Sequence, residues 1–174
     1  MRQAWLAAVL LAIGAGLAAQ EFHPPPVRPA GRHGTRIGLF GFGTRGGIDL
    51  TGRGQLVLGA TLDAGDLFTS RLRIRPSGEV GVLNGPNSYL GSFELLLRLA
   101  GDQETVAPYL GGGLSLAGHT GCGVDPGCPG LWLSVAVGVE LRYRSTFNWL
   151  LEYRALDGFA RNRLYLGLTT RRGN

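Results

Sequence analysis

The chain has 174 residues, of which 30 are glycine and only 17% are charged, and its formal charge is +5. That length suits one domain behind a leader, and with no helical period after the leader it excludes a helical protein. Every basic residue is an arginine, spread along alternating segments and not clustered with aromatic stacking platforms, which speaks against a nucleic-acid partner.

Residues 1–20 read as a secretory signal: Arg2, an apolar run from Ala4 to Ile13, then small residues with Gly16 and Ala18 offering a cleavage site. The run is well short of the ~20 residues that a spanning helix needs, so the leader is expected to be removed and the mature chain exported. Residues 21–34, with Pro24, Pro25 and Pro26 in succession and no apolar period, read as an extended tether.

From residue 35 the chain alternates with period two. The first run is the least regular: Ile37, Leu39, Gly41 and Gly43 oppose Arg36, Gly38, Phe40 and Phe42. After a glycine-rich loop at 46–54, Leu56, Leu58, Ala60 and Leu62 mark a second run, and 63–66 reads as a turn. The third run sets Phe68, Leu72, Ile74, Val80 and Val82 against Arg71, Arg73, Arg75, Ser77 and Glu79. Pro76, lacking an N–H, is confined to a bulge or an unpaired position. In the fourth, Tyr89, Phe93, Leu95, Leu97 and Leu99 oppose Ser92, Glu94, Leu96 and Arg98; in the fifth, Pro108, Leu110, Gly112, Leu114 and Leu116 oppose Tyr109, Gly111, Gly113 and Ser115.

Cys122 and Cys128 flank the turn-forming Asp125, Pro126 and Gly127, and in an exported chain they are expected to form a disulfide. His119 nearby is alone, which gives no metal-ligand spacing. A hairpin follows. Leu131, Leu133, Val135, Val137, Val139, Leu141 and Tyr143 share one face of its first arm; Trp132, Ser134, Ala136, Gly138, Glu140, Arg142 and Arg144 share the other. Beyond a break at Ser145 and Thr146, Phe147, Trp149, Leu151, Tyr153 and Ala155 oppose Asn148, Leu150, Glu152, Arg154 and Leu156. An eighth run sets Leu164, Leu166 and Leu168 against Arg163, Tyr165 and Gly167.

Eight strands in up-and-down order make an all-β chain, read as an eight-stranded antiparallel transmembrane β-barrel over 35–174. Volume decides which face is outside. An eight-stranded barrel has an interior just wide enough for side chains, and the Leu/Val/Phe face is too bulky for it. The opposite face combines small residues with charges of both signs: Arg73, Glu79, Glu94, Arg98, Glu140, Arg142, Glu152 and Arg154 are expected to pair as a network inside the lumen, where an unpaired charge is costly. Removing Glu140 is expected to cost a few kcal/mol on that account. Phe68, Tyr143, Phe147 and Trp149 fall toward one end of the apolar face and read as an aromatic girdle. The turns at 63–66, 101–104 and 145–146 are short and would be periplasmic, with both termini; the longer loops, the cysteine pair included, would face the cell exterior.

The strand number, the parity, the run Pro108, Tyr109, Leu110, Gly111, Gly112, Gly113 and the inward Glu140, Arg142, Glu152 and Arg154 resemble the OmpA/OmpX-type eight-stranded outer-membrane β-barrel proteins of Gram-negative bacteria. One departure is the end of the chain. Members usually close the last strand on an aromatic residue, whereas here Leu168, Thr169 and Thr170 precede Arg171, Arg172, Gly173 and Asn174. The resemblance implies an outer-membrane location, with outer-membrane lipid and the assembly machinery as partners, in a monomer without cofactor or metal.

The leading functional expectation is a non-enzymatic barrel with a scaffold or surface-contact role and an unidentified surface ligand. A lipid A-modifying enzyme needs a nucleophile and a base at the membrane face, yet His23 and His33 fall in the tether and His119 in the cysteine loop, so no catalytic residue is assigned. A narrow, porin-like solute channel needs a lumen that arginine side chains do not fill, and a soluble periplasmic ligand-binding barrel needs the apolar face inside.

Overall fold

The computed structural model describes residues 34–170 except 52–53, 102–103, 125–127 and 144–145. The leader, all of the tether but Gly34, and the four C-terminal residues lie outside them. Eight strands close into one antiparallel barrel in chain order, β1 hydrogen-bonding to β8. They are β1 (Arg36–Asp49), β2 (Leu56–Asp66), β3 (Leu72–Val82), β4 (Ser88–Arg98), β5 (Val106–His119), β6 (Gly130–Arg142), β7 (Phe147–Leu156) and β8 (Arg161–Thr170). Closure removes both sheet edges, so the backbone N–H and C=O groups of paired strands need no water. No helix among the described residues is long and apolar enough to cross a membrane.

Parity places the side chains. Leu114, Leu131, Leu133, Val135 and Leu151 point outward and are exposed, while Glu94, Ser115, Ser134, Glu152 and Arg154 point inward and are buried. A protein in water hides its apolar atoms and rarely exposes more than a few hundred Å² of contiguous apolar surface. Here the apolar face wraps the wall of the barrel, and the core is polar.

Two local corrections follow from bulges and strand length. Residues 63–66 are the end of β2 and not a turn: the register slips between Thr61 and Gly65, and Asp63 Oδ1 accepts the Gly65 N–H at 3.2 Å. Gly65 has φ of +122°, and a Cβ there would run into the Arg36 carbonyl, so glycine is required. The chain reverses instead at 67–71, where Phe68 has a positive φ and Leu67 N–H donates to the Leu72 carbonyl at 2.8 Å. Pro76 pairs in register with Phe93 of β4 and faces the bulge on its β2 side, where a missing donor costs nothing. The glycine-rich stretch after 45 likewise begins as strand, since β1 continues to Asp49. The two ends therefore do not sort by loop length. At the end carrying both termini, here the turn end, the connections are 67–71, 99–105 and 143–146. At the other, the loop end, they are 50–55, 83–87, 120–129 and 157–160, and only 120–129 is distinctly longer.

The loop end is stitched together. Leu50 N–H donates to the Asn162 carbonyl at 2.7 Å and Asn162 N–H to Thr51 Oγ1 at 2.8 Å. Gln55 Nε2 donates to the Pro86 carbonyl at 2.8 Å, and Ser88 Oγ to Gln55 Oε1 at 2.9 Å. Cys122 and Cys128 form a disulfide, and Tyr89 O–H donates to Cys122 Sγ at 3.2 Å.

Large inward side chains fit because the facing strand carries glycine. Tyr109 lies across Gly138 and Tyr165 across Gly47, and a Cβ at either glycine would overlap the ring. Gly138→Val should therefore displace Tyr109 and destabilise the barrel by about 1–3 kcal/mol, the usual range for overpacking. Outward Val137→Leu should stay within about 0.5 kcal/mol. Urea unfolding of the two variants in detergent, followed by tryptophan fluorescence, compares them.

Candidate functional site

Period-two alternation carries acids and bases from β1, β3, β4, β7 and β8 into one belt across the lumen. Glu79 of β3 is the first hub: its Oε1 accepts Arg45 Nη2 and, at 2.5 Å, Arg154 Nη1, while Oε2 accepts Arg163 Nη1 at 2.9 Å and Tyr165 O–H at 2.5 Å. Glu152 of β7 is the second, taking Arg45 Nη1 at 2.6 Å and Arg154 Nη2 at 3.2 Å on Oε1, with Arg75 Nη2 and Tyr109 O–H, each at 2.5 Å, on Oε2. Glu94 of β4 holds Arg154 Nη2 at 2.7 Å and Arg75 Nη2 at 2.9 Å on Oε2, and accepts Ser134 O–H at 3.2 Å on Oε1. Arg163 also lies 3.5 Å from Asp49 Oδ2.

The charges balance: Arg45, Arg75, Arg154 and Arg163 stand against Asp49, Glu79, Glu94 and Glu152. Arg154 is wholly buried and touches three carboxylates, which makes it the crossing point of the belt. The guanidiniums also lie over rings, Arg45 at 4.7 Å from the Tyr165 centroid and Arg75 at 5.5 Å from that of Tyr109. In a lumen of low dielectric, such charge-assisted bonds are strong, and any partner left alone is expensive.

Apolar side chains pack in the lumen above and below the belt. Along β4 the inward order from the loop end is Leu90, Glu94, Leu96; along β7 it is Leu156, Arg154, Glu152, Leu150. Leu90, Ala117 and Leu156 pack together toward the loop end under half-buried Trp132, whose ring carries Arg161 at 4.7 Å. Leu96, Tyr109 and Leu150 pack toward the turn end. A cavity of about 40 Å³ remains beside the β2 bulge, lined by Thr61, Asp63, Arg73, Arg75, Glu140 and Thr169 among others, with room for a few water molecules.

Of the residues expected to form the network, Glu79, Glu94, Glu152 and Arg154 meet in the belt. Arg98 pairs with Glu140 at 3.4 Å nearer the turn end. Arg73 also faces the lumen, paired with Asp63 at 3.6 Å, but it lies two residues nearer the turn end than Arg75 and so beyond the belt. One placement is corrected. Arg142 is exposed, because it belongs to the last pair of β6 and β7, at the rim. Arg45, Arg75, Arg163, Asp49, Tyr109 and Tyr165 are not among the residues expected there, although parity puts Arg75, Tyr109, Arg163 and Tyr165 on the polar faces; Arg45 is hidden because the glycines after it read as loop. Phe68, Tyr143, Phe147 and Trp149 are exposed at the turn end, with the Tyr143 and Trp149 rings edge to face at 6.0 Å. Phe68 belongs to the 67–71 reversal and not to β3. His119 is half-buried at the end of β5, its Nδ1 3.0 Å from the Thr120 carbonyl oxygen. Among the described residues no group of three or more His, Cys, Asp or Glu side chains is placed to hold a metal ion.

The weight expected at Glu140 moves to Glu152. Glu152→Ala would leave Arg45, Arg75 and Arg154 short of a carboxylate, and should cost ~3–5 kcal/mol, the range for breaking a buried pair. Glu140→Ala, with one longer partner, should cost clearly less. The midpoint of heat-induced migration shift on a detergent gel ranks the two; equal loss would contradict the belt geometry.

No protein-family model matches the chain, and no curated protein resembles it in sequence. Solved structures do resemble it in fold. The N-terminal β-barrel domain of Pseudomonas aeruginosa OprF aligns over 76% of this chain and 98% of its own, with a TM-score of 0.58 and 12% identity. Neisserial surface protein A aligns over 75% of this chain and 94% of its own, with a TM-score of 0.54 and 15% identity. The outer membrane enzyme PagL gives a TM-score of 0.44 at 14% identity, over 76% of this chain and 99% of its own. The fold of this chain is the OmpA/OmpX-type eight-stranded outer-membrane β-barrel.

Proposed function

We propose that the chain resides in the outer membrane as a monomeric, non-enzymatic barrel. In this reading its wall serves the envelope as a scaffold and its loop end makes contacts at the cell surface. The observation that carries it is the lumen: a charge-balanced belt between two apolar clusters fills its middle, while the outer wall is apolar. Bonded loops also favour surface contact, since a pre-ordered face loses less entropy on binding than free loops do. The termini would be periplasmic and the Cys122–Cys128 loop exterior, with the assembly machinery and the surrounding lipid as partners.

Expression of the full chain in a Gram-negative host, followed by fractionation and gels of boiled and unboiled samples, tests the location. A band in the outer-membrane fraction whose migration changes on boiling is expected. In planar bilayers the purified protein should give no steady conductance. A steady ohmic current would replace the scaffold with a channel, and recovery in the periplasmic soluble fraction would contradict the reading altogether.

A further inference from the structure

The polar interior does not stop at the belt. Toward the turn end a second tier of lumen charges follows, with Arg73 3.6 Å from Asp63 and Arg98 3.4 Å from Glu140. The belt carboxylates Glu79, Glu94 and Glu152 are closed off from water, whereas the side chains of Asp63 and Glu140 keep 19% and 12% of their surface open. The cavity beside the β2 bulge lies where the two tiers meet, since Arg75 of the first and Arg73, Asp63 and Glu140 of the second all line it. Its volume of about 40 Å³ has room for about three water molecules, or for a guest of roughly five non-hydrogen atoms. Hydrogen-bonding groups around it are left over. Arg75 gives Nε and Nη2 to Glu94 and Glu152, which leaves Nη1. Glu140 meets Arg98 through Oε2, which leaves Oε1. Thr169 lines the cavity, and its Oγ1 is buried without a hydrogen-bond partner among the described residues. A buried polar group left alone is costly, and a guest that supplies the partner recovers that cost.

We propose that this cavity is a binding site for a small zwitterionic amino acid such as glycine or alanine. The guest's carboxylate lies against Arg73 and Arg75, neighbours on the inward face of β3, and its ammonium against Asp63 and Glu140, which come from β2 and β6. A guanidinium has five N–H donors, so Arg73 can take a second carboxylate beside Asp63. A guest of one sign would leave an uncompensated charge in a narrow, poorly hydrated space, which is expensive. A zwitterion brings both signs together and leaves the charge balance of the lumen as it was. The inference goes beyond the scaffold reading, gives the turn-end mouth a solute to hold, and stands on the geometry of the lumen alone.

The test takes the full chain, folded in a non-ionic maltoside detergent and labelled on its threonine methyls, and titrates it with glycine and, in parallel, with acetate, methylammonium and glycerol. Saturable shifts of the Thr61 and Thr169 methyl resonances are expected with glycine, with a midpoint on the order of millimolar for so small a guest. Acetate, methylammonium and glycerol should each bind at least about tenfold more weakly, since each lacks one or both of the charges that the site pairs. Glu140→Gln should weaken glycine by about tenfold, the loss of one charge-assisted contact. Thr169→Val removes a hydroxyl that has no partner in the free protein, so the heat-dependent migration shift should persist while glycine, read at Thr61, binds about threefold more weakly. Arg161→Gln, at the other end of the barrel, should change nothing. Shifts that stay linear in glycine, equal saturation by any of the three other solutes, or affinity unchanged in both Glu140→Gln and Thr169→Val overturn the site. If Glu140→Gln does not fold, Thr169→Val decides alone.

Discussion

Arg154 joining Glu79, Glu94 and Glu152 is the contact on which the rest of the barrel depends. It links β7 to β3 and β4 across the lumen, while Arg45 of β1 and Arg163 of β8 tie the strands at the closing seam to the same carboxylates. Most of these pairs are far apart in sequence, so the belt forms only when the sheet has closed. A carboxylate removed from water without such partners would be too expensive to keep ionised, and four acids against four bases let each be satisfied inside. The belt is thus a condition of closure as well as its consequence.

A charged core requires an apolar exterior, and the wall supplies one by the same alternation. Outward Leu and Val alternate with inward residues that are mainly small, polar or charged, Leu90, Leu96, Leu150 and Leu156 being among the apolar exceptions, which is the reverse of a soluble barrel. The interior is narrow, so bulk on one strand is matched by its absence on the next: Tyr109 lies across Gly138 and Tyr165 across Gly47. Leu90, Ala117 and Leu156 on one side and Leu96, Tyr109 and Leu150 on the other pack between the belt and the two mouths.

Strand number, order and facing were legible because period-two alternation is a local property, readable from Leu131 to Tyr143 without knowledge of any partner. The hubs Glu79, Glu94, Glu152 and Arg154 were legible for the same reason. What was not legible depends on relative height along the barrel axis, which parity does not report. Arg142 has the parity of a lumen residue yet lies at the rim, and Arg73 has it too yet lies beyond the belt; the bulge of β2, where Gly65 takes a positive φ, leaves no signature beyond a glycine. Arg45 was concealed by glycines that read as loop but pair as strand, because Gly47 must admit Tyr165. Bulges and glycine-rich strands blur local signals where the tertiary fit is tightest.

The central claim is that the apolar face meets acyl chains and the charged face fills the lumen. Nuclear Overhauser transfer from the acyl protons of a detergent micelle to assigned methyl groups reads this side by side in one sample. The account predicts strong transfer to the methyls of Leu114, Val135, Val137 and Leu151 and none to those of Val57, Leu90, Leu96 and Leu150. Transfer to the second set with protection of the first would contradict it.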